Sequence, residues 1–143
     1  MEDSSMLIRI MTIKDHAQVV ALWSNTKGIG TGDGDNKKEI NSYLKRNPGL
    51  SFVAVSEKRI IGAVLCGHDG RRGYIHHLAV APDFRSKGIG TSLVNACLYG
   101  LNALEIAKCN IFVYKSNISG RKFWKKSGWG TRTDLLVLQK KIS

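Results

Sequence analysis

The chain predicts an α/β (α+β) fold, and three observations carry that prediction. Apolar runs of strand type alternate with amphipathic stretches in the order strand, two helices, three strands, helix, strand, helix, strand. The strand from Tyr74 to Ala81 is stopped by Pro82 and passes through a glycine-bearing loop directly into a long helix. Apolar content of 43% and charged content of 23% in 143 residues suit one globular domain, residues 1–143, with a sizeable core. Neither a doubly wound sheet nor a β-sandwich produces that element order.

Met6 to Met11 reads as the first strand, and Thr12 with Asp15 three residues on marks a helix start. Val19, Leu22 and Trp23 share one face of that helix. Lys27 to Asp35 is too rich in glycine to form an element; Asp35 or Asn36 then caps a second helix carrying Ile40, Tyr43 and Leu44. Ser51–Ser56 and Ile60–Cys66 are apolar and β-branched around Glu57-Lys58-Arg59, a hairpin. A polar turn, Gly67 to Gly73, leads into Tyr74–Ala81, and Ile89, Leu93 and Cys97 place a helix from about Gly88 to Ala107. A strand from Asn110 to Tyr114, a helix from Asn117 to Gly128 bearing Phe123 and Trp124, and a closing strand, Leu135 to Leu138, complete the chain.

The formal net charge of +11 suits an anionic ligand. The cations stand in scattered pairs, Lys37-Lys38, Lys45-Arg46, Arg71-Arg72, Lys125-Lys126 and Lys140-Lys141, without aromatic residues interleaved, which favours solvated faces over nucleic-acid binding. No apolar run reaches the ~18 residues of a membrane span, and Met1 to Ser5 is acidic, unlike a signal peptide. Cys66, Cys97 and Cys109 are far apart in apolar contexts, with neither disulfide nor zinc spacing; core positions in a reducing cytoplasm are the simplest reading.

The loop before the long helix carries the chemistry. Gly88 and Gly90 leave backbone N–H groups uncovered, the first helical turn offers unpaired N–H groups with partial positive charge, and Arg85 and Lys87 add two full charges. That is a site for phosphate. It is neither a P-loop nor a dinucleotide fingerprint. Arg-x-x-Gly-x-Gly, Arg85 to Gly90, behind Leu78-Ala79-Val80, resembles the acetyl-CoA loop of the GNAT superfamily of N-acetyltransferases. Asn117 followed by Phe123-Trp124-Lys125-Lys126-Ser127-Gly128-Trp129 resembles the closing motif of that family, and the element order is similar to the family's over nearly the whole chain. The pattern is closest to bacterial members of the ribosomal-protein-acetylating type.

The resemblance implies a mixed, mostly antiparallel sheet of six to seven strands flanked by four helices, with a splay between strands four and five. It implies acetyl-CoA as co-substrate and no metal. Pyrophosphate would lie on Arg85, Ser86, Lys87, Gly88, Ile89, Gly90 and Thr91, pantetheine along Leu78, Ala79 and Val80, with Asn117 and Lys125 as outer contacts. The acceptor is a small-molecule or peptide amine, and a homodimer is compatible with the family.

Amine acetylation needs a base near neutral pH, and His76 and His77 stand in the strand that would line the cofactor. Strict alternation puts one on each face, His76 with Leu78 and Val80, His77 with Ala79. The family's tyrosine beside the thioester sulfur is Trp124 here, a wall of the acceptor pocket rather than an acid, so the leaving-group proton comes from Tyr114 or a water, or is not required. Asp33 and Asp35, in the loop between the first two helices, are placed to attract a cationic amine. No cysteine has a reactive setting, so direct attack in a ternary complex is expected. The alternatives are an acetyl-CoA-binding module without turnover and a basic, RNA-associated protein.

Overall fold

The computed structural model describes residues 6–143, so the reading of Met1–Ser5 lies outside it. Five strands, β1 (Leu7–Ile10), β2 (Phe52–Ser56), β3 (Arg59–His68), β4 (Arg72–Val80) and β5 (Lys108–Ile111), form one sheet in the order β1-β2-β3-β4-β5. The first three pairings are antiparallel; β4 and β5 are parallel, with α3 as the crossover. The helices are α1 (His16–Ser24), α2 (Lys37–Arg46), α3 (Ile89–Ala103) and α4 (Ile118–Lys126).

Each face of the sheet is covered because its strands alternate between two cores. Ile89, Leu93, Cys97 and Leu101 recur every fourth residue of α3 and pack on Ala54, Ile61, Val64, Cys66 and Ile75. On the other face Val19 and Trp23 of α1 and Ile40 of α2 pack on Val53, Ala63, Leu65 and Ala79. β3 is buried along its whole length apart from its two ends, which fits its almost uninterrupted apolar run. At the hairpin tip Glu57 and Lys58 both take positive φ, +49° and +66°, the backbone of a type I′ turn. Asn36 caps α2: its Oδ1 accepts from the Glu39 N–H at 2.8 Å, and Glu39 Oε1 accepts from the Asn36 N–H at 3.3 Å.

Several boundaries differ from the sequence reading, and the polar turn read at Gly67–Gly73 shrinks because β3 runs on to His68 and β4 starts at Arg72. The long helix stops at Ala103 rather than Ala107, because Glu105 turns left-handed at φ +62° and the Leu104 and Ile106 N–H groups close back onto Leu101 O. The strand read at Asn110–Tyr114 lies at Lys108–Ile111. Leu135–Leu138 joins no ladder, so among the described residues the sheet has five strands and not six or seven; strand propensity needs a partner edge, and these residues stay exposed.

Beside β1, the Arg9 guanidinium holds Asp15 in a two-pronged pair, Nη1 to Oδ2 at 2.8 Å and Nη2 to Oδ1 at 2.9 Å, while the Thr12 N–H also donates to Oδ2 at 2.8 Å. Those hydrogen bonds, Arg9 first, hold the Asp15 carboxyl below the usual carboxylate range. A depressed carboxylate pKa stabilises the fold above the unfolded value of ~3.9, and that stability is lost as pH falls through the folded value. Asp15→Asn is expected to lower the urea-unfolding free energy at pH 7 by about 1 kcal/mol, a modest figure because the guanidinium is partly solvated. The gap from wild type narrows at pH 3; an equal gap at both pH values contradicts this account.

Candidate active site

The site begins where two strands separate. β4 and β5 pair from Arg72↔Lys108 to Ile75↔Ile111, and β4 then continues to Val80 without β5 beside it. From His76 onward, the β5-facing edge of β4 is left open to a ligand with amides of its own. The splay expected between strands four and five is this parting.

The opening leads into a groove of about 1320 Å³ between β4, the start of α3 and α4. Its floor is Leu78, Ala79 and Val80, and its end wall is Arg85, Ser86, Gly88, Ile89, Gly90 and Thr91. Gly88 sits at φ +82° as the residue before α3, and a Cβ there would meet nothing within 4 Å, so the backbone turns left-handed and stays bare. The N–H groups of Ile89, Gly90 and Thr91 fall in the unpaired first turn of α3. Arg85 Nε donates to Val80 O at 2.9 Å, which ties the charged loop to the strand end. Asn117 also lines the groove and caps α4, its Oδ1 accepting from the Gly120 N–H at 3.0 Å; cap and wall are one side chain. Trp124 lines this same groove, edge-on to Phe123 and Trp129 at ring distances of 5.0 Å. Lys126, rather than Lys125, reaches the groove, and Lys87 lies 5.4 Å over the Phe84 ring outside it.

The two histidines do not divide between the faces. β4 bulges against β3 between Leu65↔His76 and Ala63↔Ala79, and His77 takes φ +53°. That left-handed residue, worth roughly 1 kcal/mol or more of strain, resets the alternation. Both imidazoles therefore lie on the α1/α2 face: His76 against Tyr43 of α2, His77 edge-on to Trp23 of α1 at 4.8 Å. Leu78 and Val80 pack toward α3, so His76 does not share their face. His77 Nε2 lies 3.1 Å from Asp35 Oδ2. His76 makes no hydrogen bond among the described residues; burial, with His77 beside it, holds its pKa below the ordinary imidazole value. It lines a smaller pocket of about 210 Å³ with Tyr43, Arg46, Asp69 and Tyr74.

The loop between α1 and α2 straps the two walls together. Asp35 holds His77 on β4, while Gly30 lies under Tyr114, whose hydroxyl would be 2.6 Å from a Cβ there. Tyr114 is thus directed onto the strap, and it does not line the groove. Asp33 is exposed on the same loop.

The sequence profile of the Acetyltransferase (GNAT) family matches residues 17–129. An acetyltransferase from Yersinia enterocolitica is 31% identical over 137 residues, 96% of each chain. The chain belongs to the GNAT family. It is an N-acetyltransferase that takes acetyl-CoA as co-substrate. Solved structures share the fold: the PaiA N-acetyltransferase of Thermoplasma acidophilum in complex with coenzyme A has a TM-score of 0.79 at 19% identity, over 90% of this chain and 91% of that one. The ribosomal-protein-alanine N-acetyltransferase of Brucella melitensis has 0.72 at 17%, over 95% and 99%.

The groove fits that co-substrate on its own chemistry. Its lining includes Lys27, Arg85 and Lys126 and no carboxylate, and its volume exceeds the ~300–1,000 Å³ of sites for compact ligands, as an extended cofactor requires. Among the described residues no cluster of three His, Cys, Asp or Glu is placed to hold a metal, and no helix is long and apolar enough to cross a membrane. Sequence reading missed Lys27, Ile29, Asn95 and Ser116 in this GNAT groove. Asn95 was accessible, four residues after Thr91 and so on the same helical face; Lys27 and Ile29 arrive only by folding of the strap.

Gly88→Glu is expected to weaken acetyl-CoA binding at least about 100-fold by calorimetry, since it sets bulk and negative charge where the phosphates belong. Open space around the new side chain limits the loss of folding stability to the strain of a left-handed residue, about 1 kcal/mol. Unchanged affinity would remove the anion site from this loop.

Proposed function

We propose that the protein transfers the acetyl group to a primary amine by direct attack in a ternary complex, with His76 as the base and a protein N-terminus as the acceptor. The observation that carries this reading is the unpaired stretch of β4: it fronts the cofactor groove at Leu78–Val80 and the His76 pocket two residues earlier. Acetyl-CoA supplies an acyl thioester when bound. The backbone of Leu78 to Val80 holds its amide-bearing arm as an added strand would, and Arg85 with the first turn of α3 holds its phosphates.

An alkylammonium has no lone pair, so a proton must leave before nitrogen attacks carbon and the carbon–sulfur bond breaks. His76 is neutral at physiological pH and has free ring nitrogens to receive it. Its low basicity selects the acceptor. An α-amine of ordinary pKa ~7.7–8.0 gives up its proton to such a base more readily than a lysine at ~10.4 does, by about 2.5 units at ~1.4 kcal/mol each. The net charge of +11 also disfavours polycationic amines. The leaving thiol, of ordinary pKa ~8.5, departs as thiolate into the open groove without a dedicated acid, consistent with Tyr114 lying away from it. Asp35, engaged with His77, holds the strap rather than the amine. The neighbour named for ribosomal-protein alanine lends this acceptor class further support.

A thiol-release assay with short peptides tests the proposal: free N-termini are acetylated and Nα-blocked lysine peptides are poor substrates. The rate rises with pH through the His76 pKa, below 6.5, because only the neutral imidazole accepts a proton. His76→Ala should flatten that acid limb and cost about 10²–10⁴-fold in kcat. Acetyl-CoA binding without turnover on any amine would make this a binding module instead.

A further inference from the structure

Carbocyclic rings surround the imidazole proposed above as the base. From His76, the ring centroid of Tyr43 lies 6.5 Å away, that of Tyr74 6.4 Å and that of Phe112 6.3 Å, and Tyr74 and Phe112 are 6.2 Å apart. They come from separate segments. Tyr74 and His76 are two apart on β4, ahead of the bulge, so they share a face, and their planes differ by only 6°. Phe112 follows the last registered pair, Ile75↔Ile111, and so stands beside His76 where the strands part. Tyr43 comes from α2; a Cβ at Gly67 would be 2.7 Å from its hydroxyl, so the bare backbone of β3 there admits the ring.

The rings are not used up as core. Phe112 is 63% exposed, and Tyr43, Tyr74 and His76 are half-buried. Tyr43 and Tyr74 line the pocket of about 210 Å³ with His76. Arg46 and Asp69 in the same lining are opposite in charge, so they offer a cationic acceptor no net counter-charge. Asp69 is moreover turned to the backbone, its Oδ1 accepting from the Arg71 and Arg72 N–H groups at 2.8 Å each. Ring faces carry partial negative charge and attract a cation within ~6 Å. An ammonium hydrogen-bonded to a His76 nitrogen on the side of these rings falls inside that range.

We infer that Tyr43, Tyr74 and Phe112 form an aromatic enclosure that receives the acceptor's ammonium group beside His76, with Tyr74 and Phe112 setting the affinity for the charged amine. The inference rests on the acceptor lying at His76, as proposed above. It adds that ring faces, and not a carboxylate, hold the amine as a cation before its proton leaves. A quaternary ammonium, which has no N–H to lose, therefore binds there as well.

Choline and 3,3-dimethyl-1-butanol test this, because they match in shape and differ in charge. In proton NMR titrations of the full chain, the choline methyl resonance shifts upfield to saturation, as contact with ring faces requires. Choline binds at least about 10-fold tighter than the neutral alcohol. Tyr74→Leu and Phe112→Leu each weaken choline at least about 5-fold, while Tyr74→Phe and Phe112→Tyr, which keep a ring, stay within about 2-fold. In peptide acetylation the two leucine variants raise KM for the amine by similar factors and change kcat less than about 3-fold, the pattern of lost uniform binding. Saturating coenzyme A leaves choline bound, since the pocket and the groove share no lining residue. Equal affinity for choline and the alcohol, unchanged choline affinity in both leucine variants, or displacement by coenzyme A overturns the inference. Choline binding is read without turnover, which separates the two readings. Ring-dependent choline binding with free N-termini left unacetylated faults the acceptor reading and keeps the cation site; acetylated N-termini without choline binding does the reverse.

Discussion

The parting of β4 from β5 after Ile75 is the constraint on which the site depends. A parallel pair normally satisfies the backbone of both strands along their shared length. Here β5 stops at Ile111, and β4 runs on with one edge unsatisfied by its own sheet. Such an edge is a liability unless a ligand uses it. The groove, the bare first turn of α3 and the Arg85 contact to Val80 are all arranged around that open edge.

The bulge at His77 is the second half of the same device. One left-handed residue moves His77 onto the face already occupied by His76 and turns Leu78 toward α3. The strain is held by contacts on all sides: Trp23 against the imidazole ring, Asp35 on its nitrogen, and the Ala63↔Ala79 pairing just beyond. The His76 pocket and the groove along Leu78–Val80 thereby lie on separate faces of one strand, with a break in the sheet between them. His77 is engaged on both sides in this arrangement, whereas His76, half-buried, makes no hydrogen bond among the described residues.

The strap between α1 and α2 links the two walls without regular structure. Its glycines allow close approach, Gly28 beside Asn117 and Gly30 beneath Tyr114, so it can cross the gap at short range. Side chains at either position would push the walls apart. The aspartates read as amine attractors divide accordingly: Asp35 is engaged in holding β4, and Asp33 stays exposed.

Most of the loop that closes the groove was legible in residue order because it is local. Arg85 to Thr91 is contiguous, and Pro82, Gly88 and Gly90 dictate its turn, so motif and geometry coincide. The two cores were legible for the same reason, since Ile89, Leu93, Cys97 and Leu101 keep one helical period. Tertiary structure alone decided which face each histidine takes, because a bulge depends on how β4 registers with β3, and no spacing within Tyr74–Val80 records that. It also decided that Leu135–Leu138 stays outside the sheet and that Lys126 rather than Lys125 turns inward. Those outcomes depend on partner edges and packing angles between distant segments, and such interactions exist only once the chain has folded.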